Sequence, residues 1–283
     1  MNKNITLWIL ALIITLASAY YQRLTGPTYP ISNRINIDGK LITYKLDRTH
    51  GGKNDHKISM DVEDQTIEGQ LLWKRYKTKD EWTYVKMQKD GSFLTSYLPH
   101  QPPAGKLMYK IIFSSNGKNY PLNNNHPVVI RFKGDVPKGI LIPHIIFIFL
   151  AMLFSTRTGL QIFWDSFNLK KYTVWTVVIL TFGGMIFGPL TQFYAFGALW
   201  TGFPFGYDLT DNKTLIALVG WLIALFAVFK LVRPKWWVFG AAVLMLIIFL
   251  IPHSVLGSEL DYEKLDKEKS KSNVSALIYT NNK

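Results

Sequence analysis

The sequence predicts a multi-pass α-helical membrane protein with an inserted extracytoplasmic all-β domain. The 283-residue chain has a mean hydropathy of +0.10, and its apolar residues gather in long runs near the N-terminus and between about residues 139 and 252. Between these runs lies a polar block of short segments in which apolar and polar residues alternate. This combination is typical of a membrane protein with one sizeable soluble domain.

Composition excludes several kinds of site. The chain contains no cysteine, which rules out disulfides, thiolate metal sites and cysteine nucleophiles. Much of the net charge of +13 lies beside the ends of apolar segments, where membrane topology predicts it. The polar block 22–137 holds 18 Lys and Arg against 11 Asp and Glu, a net charge of +7 without any run of bases. We therefore expect a solvated β surface, with a basic face toward anionic lipid or an anionic polymer as the alternative.

The first apolar run, ITLWILALIITLASAYY (5–21), defines a predicted N-terminal segment 1–23. The stretch Ala17-Ser18-Ala19 fits the small-x-small rule of signal-peptide cleavage. A retained membrane helix is the other interpretation, because the two tyrosines that end the run suit the membrane interface. We favour retention, and under either interpretation the residues that follow have crossed the membrane.

Residues 24–137 read as a β domain. Seven segments within it are rich in β-branched and aromatic residues, and turn signals such as Gly51-Gly52 and Asn116-Gly117 separate them. Seven short strands in about 100 residues predict a β-sandwich. The predicted strands are 40–46, 56–62, 67–76, 81–88, 92–98, 106–113 and 126–134.

Two features of this block resemble immunoglobulin-like and fibronectin type III domains. Trp73, on the third predicted strand, resembles the buried tryptophan of these sandwiches, and PPAGKLMYKI (102–111) is similar to their tight turn and tyrosine-bearing strand. The resemblance covers the β domain and implies a two-sheet fold with Trp73 in its core. It implies no function, because such sandwiches host many binding roles. Without a Cys pair, an antibody-type domain is not supported.

Four further apolar segments predict a transmembrane bundle over residues 138–255. Each is near the length that a helix needs to cross about 30 Å of hydrocarbon. The segments run over about 139–155, 172–190, 214–229 and 236–252.

The connections between these segments predict the orientation. Residues 156–171 and 230–235 each carry three Lys or Arg, whereas residues 191–212 carry none. The positive-inside rule places both basic connections in the cytoplasm. The β domain, the 191–212 loop and a charged tail (256–283) are then expected outside, with five spans if the first helix is retained. The tail alternates acids and bases and is expected to form a short, fraying helix at most.

The outer loop contains FPFGYDLTDNK (203–213), with two carboxylates, Asp208 and Asp211, and three aromatics. The aromatics suit the membrane interface. Either carboxylate can cap the helix predicted to begin near Thr214, because a helix start offers free N–H groups and a positive dipole end. We expect this structural role, with a functional role as the alternative.

The functional alternative is a metal or haem site on the outer face. The triplet IPH occurs twice, and it places His144 and His253 near the outer ends of two predicted helices. With Asp208 and Asp211 they are candidate ligands for a divalent metal, or the two imidazoles alone for a haem. No H-x-x-x-H or H-E-x-x-H spacing supports a metal, so no cofactor is predicted under the first interpretation.

These patterns favour a non-enzymatic integral protein of the bacterial inner membrane. The four later predicted spans contain no ionisable residue except His144, which argues against an ion-coupled transporter. Gly184-x-x-x-Gly188 permits close helix contact within the bundle or between protomers. No catalytic residue and no nucleic-acid partner are predicted. We expect the β domain to bind or position another membrane or envelope protein while the bundle anchors it. The alternative is a metal- or haem-binding redox accessory protein that uses His144 and His253.

Overall fold

The computed structural model describes residues 3–163, 168–253, 255, 257 and 259–281, with the backbone alone for residues 272–281. The chain divides into two compact units, and each is formed by two separate stretches of sequence. The helical unit comprises Met1–Tyr29 and Asp135–Ser258. The β unit comprises Pro30–Gly134 and Glu259–Lys283.

The described part of the helical unit contains six α-helices. A seven-residue π-helical segment, Thr181–Phe187, continues the third helix into the fourth. The helices are α1 (Lys3–Thr25), α2 (Lys138–Leu160), α3 (Leu169–Leu180), α4 (Gly188–Phe196), α5 (Leu209–Lys230) and α6 (Lys235–Leu250).

Four helical segments among the described residues are long and apolar enough to cross a membrane: Lys3–Thr25, Lys138–Phe163, Leu169–Phe196 and Leu209–Lys230. The fifth predicted segment forms α6, which has 16 residues and is therefore only about 24 Å long. Apolar helices of spanning length are thus confirmed for four of the five predicted spans.

Two helices extend beyond their predicted ends. Helix α2 runs to Leu160 and α5 begins at Leu209, so Arg157, Asp211 and Lys213 lie within helices and are buried. These three residues lie just outside the predicted spans 139–155 and 214–229, whose only ionisable residue is His144. The hydropathy pattern missed these helix extensions because charged residues at helix ends lower the mean hydropathy.

Small residues let the helices of this unit approach closely. Trp221 of α5 is fully buried among alanines of neighbouring helices. A Cβ added at Gly159 would lie 2.5 Å from the Cβ of Ala242, so α2 and α6 need a glycine at that crossing. A Cβ added at Gly184 would lie 2.6 Å from the side chain of Thr214 on α5. Gly184 therefore makes a close contact within the chain.

Helix α1 packs against the other helices of its unit. Leu7 and Ala11 are buried, and the ring of Trp8 meets that of Phe154 edge-on at 5.3 Å. The Arg157 guanidinium donates to the side-chain oxygen of Asn4 at 2.6 Å. A buried guanidinium needs such a partner, because an unpaired charge in an apolar environment is costly. Helix α1 is thus an integral part of the unit's packing.

The described residues of the β unit form eleven strands, four more than were predicted. The strands are β1 (Ile31–Ile37), β2 (Lys40–Leu46), β3 (Thr49–Gly51), β4 (His56–Asp61), β5 (Glu68–Arg75), β6 (Thr83–Lys86), β7 (Gln88–Asp90), β8 (Phe93–Leu98), β9 (Lys106–Ser115), β10 (Lys118–Pro121) and β11 (Val128–Lys133). Six of them form one sheet of order β3-β11-β9-β5-β6, with β10 beside β9. Three form a sheet of order β4-β8-β7, and β1 and β2 form a hairpin.

Alternation along the strands builds one hydrophobic core. Strand β9 buries Leu107, Tyr109, Ile111 and Phe113 against residues of β2, β4, β5, β8 and β11. The Tyr109 hydroxyl donates to the Asp47 carbonyl at 2.8 Å, so the phenol is buried with its donor satisfied. Burial raises the pKa of Tyr109 well above its usual range.

Trp73 lies at the edge of this core. It is only half-buried, although it faces the same side of the sheet as its cross-strand partner Tyr109. The expectation that Trp73 lies at the centre of the core was therefore wrong. The fully buried positions belong to other residues, such as Leu71, Tyr109 and Ile111.

The residues that follow the helical unit join the β unit. Helix α7 (Tyr262–Asn281) is longer than the short helix expected for the charged tail. The buried Tyr262 hydroxyl accepts the Lys106 N–H at 3.0 Å, and Arg75 is 2.8 Å from Asp266. The carboxylate of Glu259 pairs with Lys106 at 2.6 Å. These contacts fix the start of α7 on the β unit.

Candidate functional site

The two loop carboxylates have different structural partners. Asp208 is the N-cap of α5, where its side chain accepts the Thr210 N–H at 2.8 Å. A cap of this kind satisfies a helix donor that has no partner within the helix. The cap function suggested by the sequence belongs to Asp208, and the helix begins five residues earlier than predicted.

Asp211 holds the loop that precedes α5. One carboxylate oxygen accepts the Thr201 N–H at 2.6 Å and the Gln192 amide at 3.0 Å. The carboxylate is buried, and hydrogen bonds of this charge-assisted type are roughly twice as strong as neutral ones. The neighbouring Asn212 accepts the Phe203 N–H at 2.7 Å. Three polar residues at the start of α5 thus determine the path of the loop that precedes this helix.

The two candidate histidines occupy different settings. His144 lies in the second turn of α2, and its Nδ1 is 2.9 Å from the Gly183 carbonyl in the π-helical segment. Because a carbonyl can only accept, the imidazole donates its N–H here, and this bond ties α2 to the π-helical segment. His253 follows the end of α6, and its side chain is exposed.

The proposed ligands do not form an assembled metal centre. Within the part of the chain that the structure describes, no group of three or more His, Cys, Asp or Glu side chains is arranged to hold a metal ion. Each of Asp208, Asp211 and His144 already bonds to the protein's own polar groups. A metal or haem role for these residues and His253 stays a prediction without geometric support.

Sequence reasoning missed Lys213. Its side chain is buried, and Nζ donates to the Ile251 carbonyl at 2.8 Å, just beyond the end of α6. Gln22 of α1 donates to the Phe249 and Ile251 carbonyls at 2.7 and 3.1 Å. Helices lack internal donors for their last carbonyls, and these two side chains supply them. Because the donors lie 227 and 38 residues from their acceptors, no local motif revealed them.

The β unit carries a second candidate surface on the outer face of the six-stranded sheet. The pairings of Leu72 with Tyr84 and with Lys110 place these residues on the side opposite the core. The Nζ atoms of Lys74 and Lys110 each lie 5.4 Å from the centre of the Trp82 ring. We call this surface the lysine–aromatic face, and it consists of Lys74, Trp82, Tyr84, Lys86 and Lys110.

This face combines a positive charge with accessible rings. Tyr84 is 62% exposed, and Lys86 pairs with Glu68 at 2.8 Å. The hydrogen bond from Lys86 holds the pKa of Glu68 below its usual range. Lysines stacked on an indole keep their charge available to a ligand while the ring limits their motion. The face is therefore chemically suited to an anionic partner that also offers apolar surface.

No protein-family model, no curated protein and no solved structure matches the chain.

Proposed function

We propose that the helical unit anchors this protein in the bacterial inner membrane and that the β unit lies outside the cytoplasm. In this proposal the β unit is an immunoglobulin-like domain that binds an acidic partner of the envelope. The lysine–aromatic face is the observation that carries the proposal. Trp and Tyr are enriched among the residues that dominate protein interfaces, and lysines add charge complementarity.

Strand order supports an immunoglobulin-like fold for the β unit. In such domains one sheet carries strands B, E and D, and the other carries C, F and G with C′ added beside C in variable-type domains. Taking β4 to β9 as B, C, C′, D, E and F, and β11 as G, reproduces both orders, β4-β8-β7 and β11-β9-β5-β6. Trp73 then lies on strand C and pairs with Tyr109 on strand F.

The distribution of bases supports the orientation. Lys170 and Lys171 begin α3, and Lys230, Arg233 and Lys235 lie at the end of α5 and the start of α6. Residues 191–212, which include the connection from α4 to α5 and the adjoining helix ends, carry no base. The positive-inside rule therefore favours a cytoplasmic position for the first group and an outer position for the connection.

Cysteine labelling tests the orientation directly, because the chain has no native cysteine. Tyr207 and Val232 are 94% and 98% exposed, so a cysteine at either position is accessible. An impermeant thiol reagent added to intact cells should label Tyr207→Cys and leave Val232→Cys unlabelled until the cells are opened. The reverse pattern would reject the orientation and place the β unit in the cytoplasm.

Site-specific photo-crosslinking in the full chain tests the binding function. A photo-reactive phenylalanine in place of Tyr84 should give one discrete crosslinked species in the native cells. Tyr97 is the matched control, a 52% exposed tyrosine on β8 of the other sheet, and it should give none. Reversing the charge with Lys74→Glu and Lys110→Glu together should abolish the Tyr84 crosslink.

Two outcomes would redirect the proposal. Equal crosslinking from both positions, or a Tyr84 crosslink that survives charge reversal, would remove the lysine–aromatic face as the binding surface. Stoichiometric metal or haem absorption in the purified chain, lost in both His144→Ala and His253→Ala, would favour the redox accessory alternative. In that case the β unit would be secondary to the helical unit.

A further inference from the structure

The end of the helical unit opposite the Asp211 loop contains a basic cleft of about 610 Å³. It lies where α3 and α6 begin and α5 ends. Three of its described lining residues are cations and none is acidic. The described lining residues are Leu169, Lys170, Val228, Val232, Arg233, Pro234, Lys235 and Trp236.

Two helix N-termini add to the positive potential of this cleft. Helices α3 and α6 both begin at its wall without a side-chain cap and without an acidic residue in the first turn. Lys170 and Lys235 occupy those first turns instead. A helix start carries about half a positive charge, so natural sequences favour acids there. Bases in both first turns create a positive potential that an anion in the cleft would neutralise.

The rest of the cleft wall is apolar. Beside the three cations, the apolar side chain of Val232 is almost fully exposed, and the amphipathic ring of Trp236 is largely exposed. Tryptophan is enriched at the headgroup level of bilayers, where its ring is apolar and its N–H is polar. The Lys170 Nζ lies 3.8 Å from the centre of the Phe229 ring, so this cation is also next to an aromatic surface. A free inorganic ion would not use these apolar walls.

We propose that this cleft binds the phosphate of an anionic phospholipid from the surrounding leaflet. Lys170, Arg233 and Lys235 contact the phosphate, Trp236 lies at the glycerol level, and Val228 contacts the start of the acyl chains. A guanidinium can donate two parallel hydrogen bonds to a phosphate, which fixes the headgroup's orientation. The site requires membrane insertion, but it does not depend on a partner of the β unit.

Lipid binding by the full chain, purified in an uncharged detergent, tests this site. The probes are short-chain phosphatidylglycerol, phosphatidylcholine of the same chain length, and inorganic phosphate, each titrated while binding is followed by native mass spectrometry. Phosphatidylglycerol should bind at least tenfold more tightly than either other probe. The double variant Arg233→Gln with Lys235→Gln should lose roughly tenfold to thirtyfold in affinity, because each base near a membrane surface contributes about 1 kcal/mol.

A matched double variant separates a built site from diffuse charge. The control variant Lys171→Gln with Lys230→Gln also removes two positive charges at this end of the unit. Neither residue is among the described residues that line the cleft. The control variant should change the affinity for phosphatidylglycerol less than threefold. An equal loss in both double variants would overturn the cleft as the site. Equal binding of phosphatidylcholine would overturn the requirement for an anion, and phosphate binding as tight as the lipid would overturn the lipid as its source.

Discussion

The contact of Tyr262 with the β unit can be tested by removing one oxygen atom. The Tyr262 side chain is 5% exposed, its hydroxyl accepts the Lys106 N–H at 3.0 Å, and it lies 3.0 Å from the side-chain oxygen of Gln101. Tyr262→Phe keeps the ring beneath the Arg75 guanidinium, 5.0 Å away, but removes the hydroxyl. The hydroxyl accepts from Lys106 and donates to Gln101, so its removal breaks two hydrogen bonds and leaves the Lys106 N–H unpaired, at a cost of about 2 kcal/mol.

Amide hydrogen exchange of the full chain measures this cost. Tyr262→Phe should destabilise the contact between the start of α7 and the β unit by about 2 kcal/mol. The amides of residues 262–270 exchange when this segment opens, so their exchange should become roughly thirtyfold faster. Tyr84→Phe removes a hydroxyl from an exposed tyrosine of the same unit and should leave that exchange unchanged. Unaltered exchange in Tyr262→Phe, or an equal increase in Tyr84→Phe, would refute the assignment of this hydroxyl as the link between α7 and the sheet.

Three further outcomes are expected, each from unfolding of the full chain in detergent. Trp221→Ala should destabilise the helical unit by about 3–5 kcal/mol, whereas Trp73→Ala should cost the β unit only about 1–3 kcal/mol because its ring is half-buried; equal costs would contradict this placement. Burial, reinforced by the nearby His50, holds the pKa of His56 below its usual range. The stability of the β unit should therefore fall as the pH drops below about 6.5, and His56→Gln should flatten this dependence. Asp211→Ala should lower the unfolding free energy by about 2–3 kcal/mol, more than a helix cap alone, and a loss under 1 kcal/mol would show that the loop is held by other contacts.

Local patterns were sufficient to predict the main elements. Long apolar runs located α1, α2, α3, α5 and α6, although most of α4 (Gly188–Phe196) falls in residues 191–212, which were predicted as a loop. Period-two alternation located strands such as β2 at its observed bounds, Lys40–Leu46. The boundary errors came from polar residues at helix ends. Thr214 was taken as the start of α5 because the preceding residues are polar, yet Asp208 caps a turn that contains Asp211 and Lys213.

Distant contacts were beyond the reach of the sequence. Lys213 reads as an ordinary loop base, and only its bond to the Ile251 carbonyl shows why it is buried. Tyr262 lies in a stretch of alternating charges that predicts a solvated tail, and its partner Lys106 is 156 residues away. Short strands such as β3 and β7 were missed because three residues contain too little alternation to detect. Pairing with a neighbouring strand defines them.

The division of each unit between two stretches of sequence has a consequence for the order of synthesis. Roughly 110 residues separate the end of α1 at Thr25 from the start of α2 at Lys138, and a ribosome needs roughly 6–20 s to make them. On the proposed topology, α1 spends that time in the bilayer without its packing partners while the β strands are exported. The β unit in turn waits for residues 259–281, which are made after all the rest of both units. A chain that ends shortly before Glu259 would therefore have a complete helical unit but a β unit that lacks Tyr262 and its hydrogen bonds.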